Sequence, residues 1–552
     1  MTTIKLKQQF MKLWDFFDGN PIPVTLDELS AQIGCSRRHM RTLLNKMEQS
    51  GWLKWHASSG RSRRSNIEFL IEAPILYQDT IKELLNHNCF EQAIRLTGEN
   101  KKLNELFTEI IRKINNNTQS SLNILYYRSL IQFLPGSYLR RSEKNLIRQI
   151  FNGLTRINEF SGHPEPDISH HWEQLTTTHW RFYIRPGVRF HHGRELNVQD
   201  IISSLKRALV SPLYSNICFL GKSEHLTLDI KLKNEDKWLL WLLAGEQAMI
   251  IPEELSIMKN FKNFPVGTGA YQVVSNSDHL LKLRAFDHYF GFRALIDEIN
   301  ILVMPEVVGP LEHHVHFGTK NDEKKIAESR LEEGCYFLLF DQRSPLCSRQ
   351  RVRSWLCEVL SPIPLLSYAD PLYYQHWSPA TGLLPSCHII KNNRLCDKPS
   401  EISSVHIAIL RNHSEHHELT DIIRKTLSLH NVELIIHEIS YDDWATGNFD
   451  ADIWLGSANF PQPVDFSVFS FFIGYPLFSK ASGEDWTIEK DNWRRGKLCV
   501  RNWIELLITR NTLLPLFHNR LILQENTTLR GVHMNSLGWF DFKSVWNEPP
   551  YS

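Results

Sequence analysis

Trp180-Arg-Phe-Tyr-Ile-Arg-Pro-Gly-Val-Arg-Phe-His-His-Gly-Arg-Glu-Leu196 is the stretch of this 552-residue chain that decides its fold. Trp180 to Ile184 is an aromatic run of strand length. Pro186-Gly187 turns the chain, Val188 to Phe190 forms a second extended edge, and His192-Gly193 turns it again. A helix is entered near Asn197, with Val198, Ile201, Ile202 and Leu205 on its inner face. From Ser121 onward short apolar strand runs alternate with helical segments, which predicts a mixed α/β region.

Further informative segments stand on both sides. Upstream stand Arg148-Gln-Ile-Phe-Asn-Gly-Leu-Thr-Arg156 and Trp172. Downstream come Asp200-Ile-Ile-Ser-Ser-Leu-Lys206, Pro265-Val-Gly-Thr-Gly-Ala-Tyr271, Phe286-Asp-His-Tyr-Phe-Gly291, Ile296-Asp-Glu-Ile299 and Ala451-Asp-Ile-Trp-Leu-Gly-Ser-Ala-Asn459. In this order the segments resemble the family 5 periplasmic solute-binding proteins, which carry peptides, opines and nickel in import systems. Ala270 departs from that pattern, which has Pro there. The resemblance implies a large two-lobed, type II binding-protein-like domain over residues 120–552.

The front of the chain reads differently. Net charge over the whole chain is +1, from 62 Lys and Arg against 61 Asp and Glu. Residues 1–70 hold 11 basic and 6 acidic residues, a local +5 on a mildly acidic remainder. Ile4 to Phe17 has helical spacing and is broken by Pro21 and Pro23. Thr25 three residues before Glu28 is a capping-box signature, opening a short helix with Leu26, Leu29 and Ile33 inward. Gly34-Cys35 turns the chain, Ser36 caps a third helix, Arg37 to Gln49, and Gly51 ends it. Met40, Leu43, Leu44 and Met47 form its apolar stripe, which leaves Arg37, Arg38, Arg41 and Asn45 off it. Two strand-like runs follow, Trp52 to Trp55 and Asn66 to Phe69, joined by a turn that carries Arg61, Arg63 and Arg64. Helix, turn, helix and a basic hairpin make a winged helix-turn-helix over residues 1–72. Arg reads guanine or phosphate and Asn reads adenine, so Ser36, Arg37, Arg38, Arg41, Asn45, Arg61, Arg63 and Arg64 are the expected contacts to double-stranded promoter DNA.

Residues 73–119 read as a helical connector, with helices at Asp79 to Asn86, Phe90 to Leu96 and Leu103 to Ile114. It is either a spacer or a lever that passes ligand state to the DNA head.

Several classes are excluded. Nine cysteines without paired spacing argue against a disulfide framework and a structural zinc site. Met1 to Asn20 has no continuous apolar run of the kind a signal peptide needs. Trp238-Leu-Leu-Trp-Leu-Leu-Ala-Gly245 is far shorter than the ~20 residues that span a bilayer and reads as a buried helix. The protein is therefore expected in the cytoplasm, away from the membrane. No Gly-rich phosphate loop, Gly-x-Ser-x-Gly elbow or His-Glu-x-x-His pair appears, so no enzyme, catalytic residue, cofactor or metal site is expected. His313-His-Val-His316 and His413-Ser-Glu-His-His417 are the histidine clusters with most metal-like character.

A winged helix and a solute-binding fold in one chain resemble the SgrR-type transcriptional regulators. Cys35-Ser-Arg-Arg-His-Met-Arg-Thr-Leu-Leu-Asn45, Arg140-Arg-Ser-Glu143, Glu328-Ser-Arg-Leu-Glu-Glu-Gly-Cys-Tyr336 and Met534-Asn-Ser-Leu-Gly-Trp-Phe-Asp-Phe542 carry that resemblance. It implies a regulator that senses a small metabolite, a sugar phosphate, activates a small-RNA gene of the glucose-phosphate stress response and represses its own gene. Peptide-binding members of the solute-binding family hold the ligand's ammonium with an Asp, and Asn459 stands at that position here. Loss of that carboxylate favours a polyol or phosphorylated sugar over a peptide. Arg140 and Arg141, before a helix expected over Glu143 to Leu154, are the candidate phosphate clamps. Thr268 and Gly269 are candidates for hydroxyl and backbone contacts, and Trp377 or Trp454 for stacking on a sugar face. Two alternatives stay open, a peptide-responsive regulator of the same architecture and a solute-binding subunit of an importer. A homodimer is also left open.

Overall fold

A computed structural model describes residues 2–58, 64–98, 100–117, 120–130, 132–305, 307, 326–389, 397–411, 413–524 and 529–548. The chain divides into two compact units, Met1–Ile114 and the body of Asn115–Ser552.

The first unit opens with α1 (Thr2–Phe16), β1 (Ile22–Val24), α2 (Leu26–Ile33), α3 (Arg37–Gln49), β2 (Leu53–His56) and β3 (Ser65–Phe69). The three strands form one antiparallel sheet in the order β1-β3-β2. Phe10, Leu13, Leu29, Met40, Leu44, Met47, Leu53 and Ile67 build its core, with Phe10 against the Trp52 ring. Three helices follow, α4 (Ala73–Asn86), α5 (Phe90–Thr97) and α6 (Lys101–Asn117). α5 packs on α4, while α4 and the start of α6 lie against α1: Lys7 Nζ donates to the Leu76 carbonyl at 3.0 Å and Thr80 Oγ1 at 2.9 Å, Asn100 donates to Asp15 at 3.0 Å, and Lys102 sits over the Trp14 ring. Helix α4 starts earlier than its spacing predicts because Pro74 fits the first turn, where no N–H is needed.

The second unit begins with β4 (Ser121–Tyr126) and α7 (Arg141–Ile150). β4 lies parallel to Glu298–Val303 at the edge of a four-stranded sheet with Leu280–Ala285 and Tyr271–Asn276. A second four-stranded sheet, antiparallel throughout, joins Ser169–Thr176, His179–Ile184, Thr227–Leu232 and Ile217–Lys222. The predicted helix after Asn197 is Val198–Ala208, opened by an Asn197/Asp200 capping box. Trp238 to Gly245 yields only the short helix Leu239–Leu242.

A seven-stranded sheet forms the other lobe. Its main path runs Ile326–Leu331, Leu513–Gln524, Gly334–Phe340, Ile453–Asn459, Ser404–Leu410 and Glu433–Ile439, with Trp377–Pro379 added on Leu513–Gln524. Leu513–Gln524 belongs to both lobes. Leu514, Leu516 and Phe517 lie in the core of this sheet, whereas Leu521 and Leu523 lie in the core built on β4. Ile326–Leu331 pairs with that far end. Two antiparallel strands therefore cross between lobes.

Candidate functional site

Two sites are built by these elements. The first is the outer face of α3. Thr25 and Glu28 close a reciprocal capping box on α2, and Gly34, at φ 72°, turns the chain in the left-handed region that glycine tolerates. Ser36 Oγ then accepts from the His39 N–H and starts α3 at Arg37. With Met40, Leu43, Leu44 and Met47 buried, Ser36, Arg37, Arg38, Arg41 and Asn45 are all exposed. Arg38, Arg41 and Asn45 recur at three and four residues and so share one face. Arg37 pairs with Asp27 at 3.0 Å and Arg64 with Glu28 at 3.2 Å, all four side chains largely in solvent. Such exposed pairs are worth little and exchange readily for phosphate. Arg61 and Arg63 lie outside the described residues.

The second site is a crevice between the lobes of the second unit. Ser404–Leu410 has parallel neighbours on both sides, Glu433–Ile439 and Ile453–Asn459. The chain leaves Leu410 toward one neighbour and returns later on the other side. That is a topological switch point, and ligands of open α/β sheets bind at the carboxyl ends of the strands beside it. Arg411 and Asn459 occupy those ends. α7 of the opposite lobe starts directly against them. Arg140 Nη2 donates to the Arg411 carbonyl at 2.8 Å, and Arg141 Nη1 meets Glu332 Oε1 at 2.5 Å. The same Glu332 oxygen accepts from Asn459 Nδ2 at 3.0 Å.

The electrostatics distinguish the two arginines. Burial disfavours the charge on Arg141, but Glu332 and Glu415 outweigh it and lift its pKa above the ordinary arginine value. Burial and the nearby Arg128 guanidinium pull Arg140 below that value. Arg128 is itself held in a two-pronged pair with Glu143. Tyr441 bounds the crevice: its ring lies 6.0 Å from the Arg140 guanidinium and its hydroxyl donates to the Leu139 carbonyl.

Of the ligand contacts expected from sequence, Arg140, Arg141 and Asn459 come together here. The others do not join them. Thr268 is fully buried and its hydroxyl donates to Asn152. Gly269 packs so closely on the end of α7 that a Cβ would lie 2.4 Å from Gln149 O and Ile150 C, a packing reason for that glycine. Trp454 is fully buried with its indole N–H on Asp341 at 2.8 Å. Trp377 stacks on Phe517 at 5.1 Å inside the lobe core. Neither ring offers a free face. Missed by sequence reasoning were Glu332, Tyr441 and His416. His416 belongs to a cluster noted only for its metal-like character, and Glu332 lies in a segment quoted only for resemblance. Among the described residues no group of three or more His, Cys, Asp or Glu could hold a metal, and no helix is long and apolar enough to cross a membrane. His313, His314 and His316 lie outside the described residues.

A basic recognition helix joined to a bilobed solute-binding-protein fold defines a class, the DNA-binding regulator fused to such a fold. The family described as "Sugar transport-related sRNA regulator N-term" matches residues 5–120, and "Bacterial extracellular solute-binding proteins, family 5 Middle" matches residues 163–309. The chain is 45% identical over 551 residues to the HTH-type transcriptional regulator SgrR of Escherichia coli K12, and 44% identical over 551 residues to SgrR of Yersinia enterocolitica, with both chains fully covered in each case. The peptide-complexed periplasmic binding protein DppA of Helicobacter pylori has the same fold over 79% of this chain and 99% of its own, with a TM-score of 0.62 at 13% identity. The chain belongs to the SgrR family of HTH-type transcriptional regulators. The resemblance read from its motifs, the α/β class and the regulatory role are borne out.

Proposed function

We propose that the regulator acts in the cytoplasm as a homodimer, grips promoter DNA with the outer face of α3 and the wing, and takes up a sugar phosphate in the switch-point crevice. In this reading it activates a small-RNA gene of the glucose-phosphate stress response and represses its own gene. The observation that carries the DNA half is the exposed Arg38/Arg41/Asn45 face on a helix whose start is fixed by the Ser36 cap. The ligand half is supported by Arg140 and Arg141 at the crevice, and by Asn459 where peptide binders carry a carboxylate.

Footprinting on the gene's own upstream region tests it. The wild type protects a site, Arg38→Ala/Arg41→Ala does not, and glucose 6-phosphate changes the protection pattern. No protection by the wild type would end the DNA assignment, and protection indifferent to every phosphorylated sugar would end the effector assignment. Sedimentation of the full chain checks the dimer. Glu332 favours the peptide-responsive alternative, since its carboxylate stands beside Asn459. Arg141 neutralises it, and calorimetry with dipeptides against sugar phosphates separates the two.

A further inference from the structure

His416 lies at the start of the 15-residue helix Ser414–Ser428, directly after the strand end at Leu410. The Leu410 N–H donates to its Nδ1 at 3.2 Å. An Nδ1 that accepts carries no proton, so the neutral ring bears its proton on Nε2. The ring is neutral because burial, helped by Arg140, drops its pKa to about 3. The side chain is fully buried, yet Nε2 has no hydrogen-bond partner. A buried donor left unmet is destabilising, and such groups call for an explanation. The ring belongs to the first turn of the helix and stacks at 3.9 Å on His413, the residue that precedes it.

Asn459 supplies the complement. Its Nδ2 faces the Glu332 carboxylate, which only accepts, and this fixes the orientation of the amide. Its Oδ1 is buried and has no partner. Close to the strand ends at Leu410 and Asn459 there is thus one buried donor and one buried acceptor left unmet. Glu332 and Glu415, the latter in the same first turn as His416, both act on Arg141 and are offset by it, whereas Arg140 acts on His416. Helix N-terminus, imidazole N–H and guanidinium together form an anion seat.

We propose that His416 is a ligand-contacting residue whose Nε2–H, with Arg140 and the first turn of its helix, receives the anionic oxygens of a phosphorylated polyol, while Asn459 Oδ1 accepts from a ligand hydroxyl. This rests on the reading that the crevice binds a sugar phosphate, and it moves the phosphate from the Arg140/Arg141 pair to Arg140 and His416.

The test uses the full chain with glucose 6-phosphate, free glucose and inorganic phosphate as probes. His416→Asn keeps an acceptor for the Leu410 N–H and deletes the Nε2–H donor. It weakens glucose 6-phosphate about tenfold or more in calorimetry, as expected for a hydrogen bond to a charged group. His416→Gln, whose amide N–H reaches the Nε2 position, recovers part of that loss. In the wild type labelled with 15N-histidine, the His416 Nε2–H resonance moves with glucose 6-phosphate and not with glucose. Equal binding by His416→Asn, or a resonance unmoved by a phosphate probe that binds, overturns this assignment and leaves the sugar-phosphate reading standing. Failure of every phosphorylated probe to bind the wild type overturns both.

Discussion

Arg141 and Glu332 matter to this fold as a pair. Glu332 is almost completely buried and Arg141 three-quarters so, and each compensates the other's lost hydration. Removing one partner strands a charge, whereas removing both does not. Glu332→Gln is expected to lower the stability of the second unit by about 3 kcal/mol, and Arg141→Met/Glu332→Met by much less. Denaturant midpoints followed by tryptophan fluorescence check both. Histidines set an acid limit of a different kind. His191 accepts from the Gly267 N–H through Nδ1 and faces the Gly269 carbonyl through Nε2, and burial takes its pKa down to about 4. A histidine whose folded pKa is depressed binds fewer protons folded than unfolded, so its contribution falls as pH drops from about 6.5 toward 4. Asp167, raised to about 6 by burial, works in the opposite direction between about 6 and 3.8. His191→Gln is expected to flatten the loss of stability between pH 6 and pH 4 by up to about 1.4 kcal/mol per pH unit. An unchanged slope in urea titrations across that range contradicts it. The Phe-His-His-Gly and Gly-Thr-Gly motifs were legible in the sequence as separate signals. Their mutual bonding was not, because contact between residues 76 and 78 positions apart leaves no periodic trace.

Elements with local punctuation were read closely. α2 and α3 begin and end where Thr25, Gly34, Ser36 and Gly51 place them, since caps and left-handed turns act within a few residues. α7 was less legible: it was expected over Glu143 to Leu154 and runs Arg141–Ile150. Phe151 to Leu154 is pulled straight by tertiary contacts, with Ile250 N–H donating to the Asn152 carbonyl and Ile168 N–H to Gly153. The shift makes Arg140 the residue that precedes the first turn. On α3 the expected effects separate stability from binding. Ser36→Ala loses the cap and lowers the stability of the first unit by about 1 kcal/mol. Arg38→Ala and Arg41→Ala leave its melting unchanged, because neither side chain is part of the core. If both contact phosphate, the double variant makes the salt dependence of promoter binding shallower by about 2 in log–log slope. Binding measured across a salt series, beside thermal melts of the same proteins, shows whether the two effects come apart.

At the scale of the whole second unit, closure of the two lobes is sealed on a flank far from the crevice in sequence. Asp236 and Arg494 form an ion pair at 3.2 Å, with both side chains almost fully buried. Trp238 joins the aromatic core of the opposite lobe, stacked on Trp493 at 5.8 Å, with its indole N–H on the Trp493 carbonyl at 2.9 Å. Lys237 N–H donates to the Arg494 carbonyl beside them. Lobes joined by two crossing strands must break this flank to separate, along with the Arg140 and Arg141 contacts, so its energy contributes to how far an open form is populated. Asp236→Asn leaves the Arg494 charge buried and unpaired, a change of about 3 kcal/mol against the closed arrangement. Hydrogen exchange in the full-length variant is expected to quicken in Trp238–Leu243 and Thr487–Arg494 together, with β4 unaffected. The affinity for a crevice ligand falls by the same free energy, because binding must then also draw the lobes shut. Exchange confined to one of the two segments would mean that the flank does not open as a unit, and that ligand affinity is set at the switch point alone.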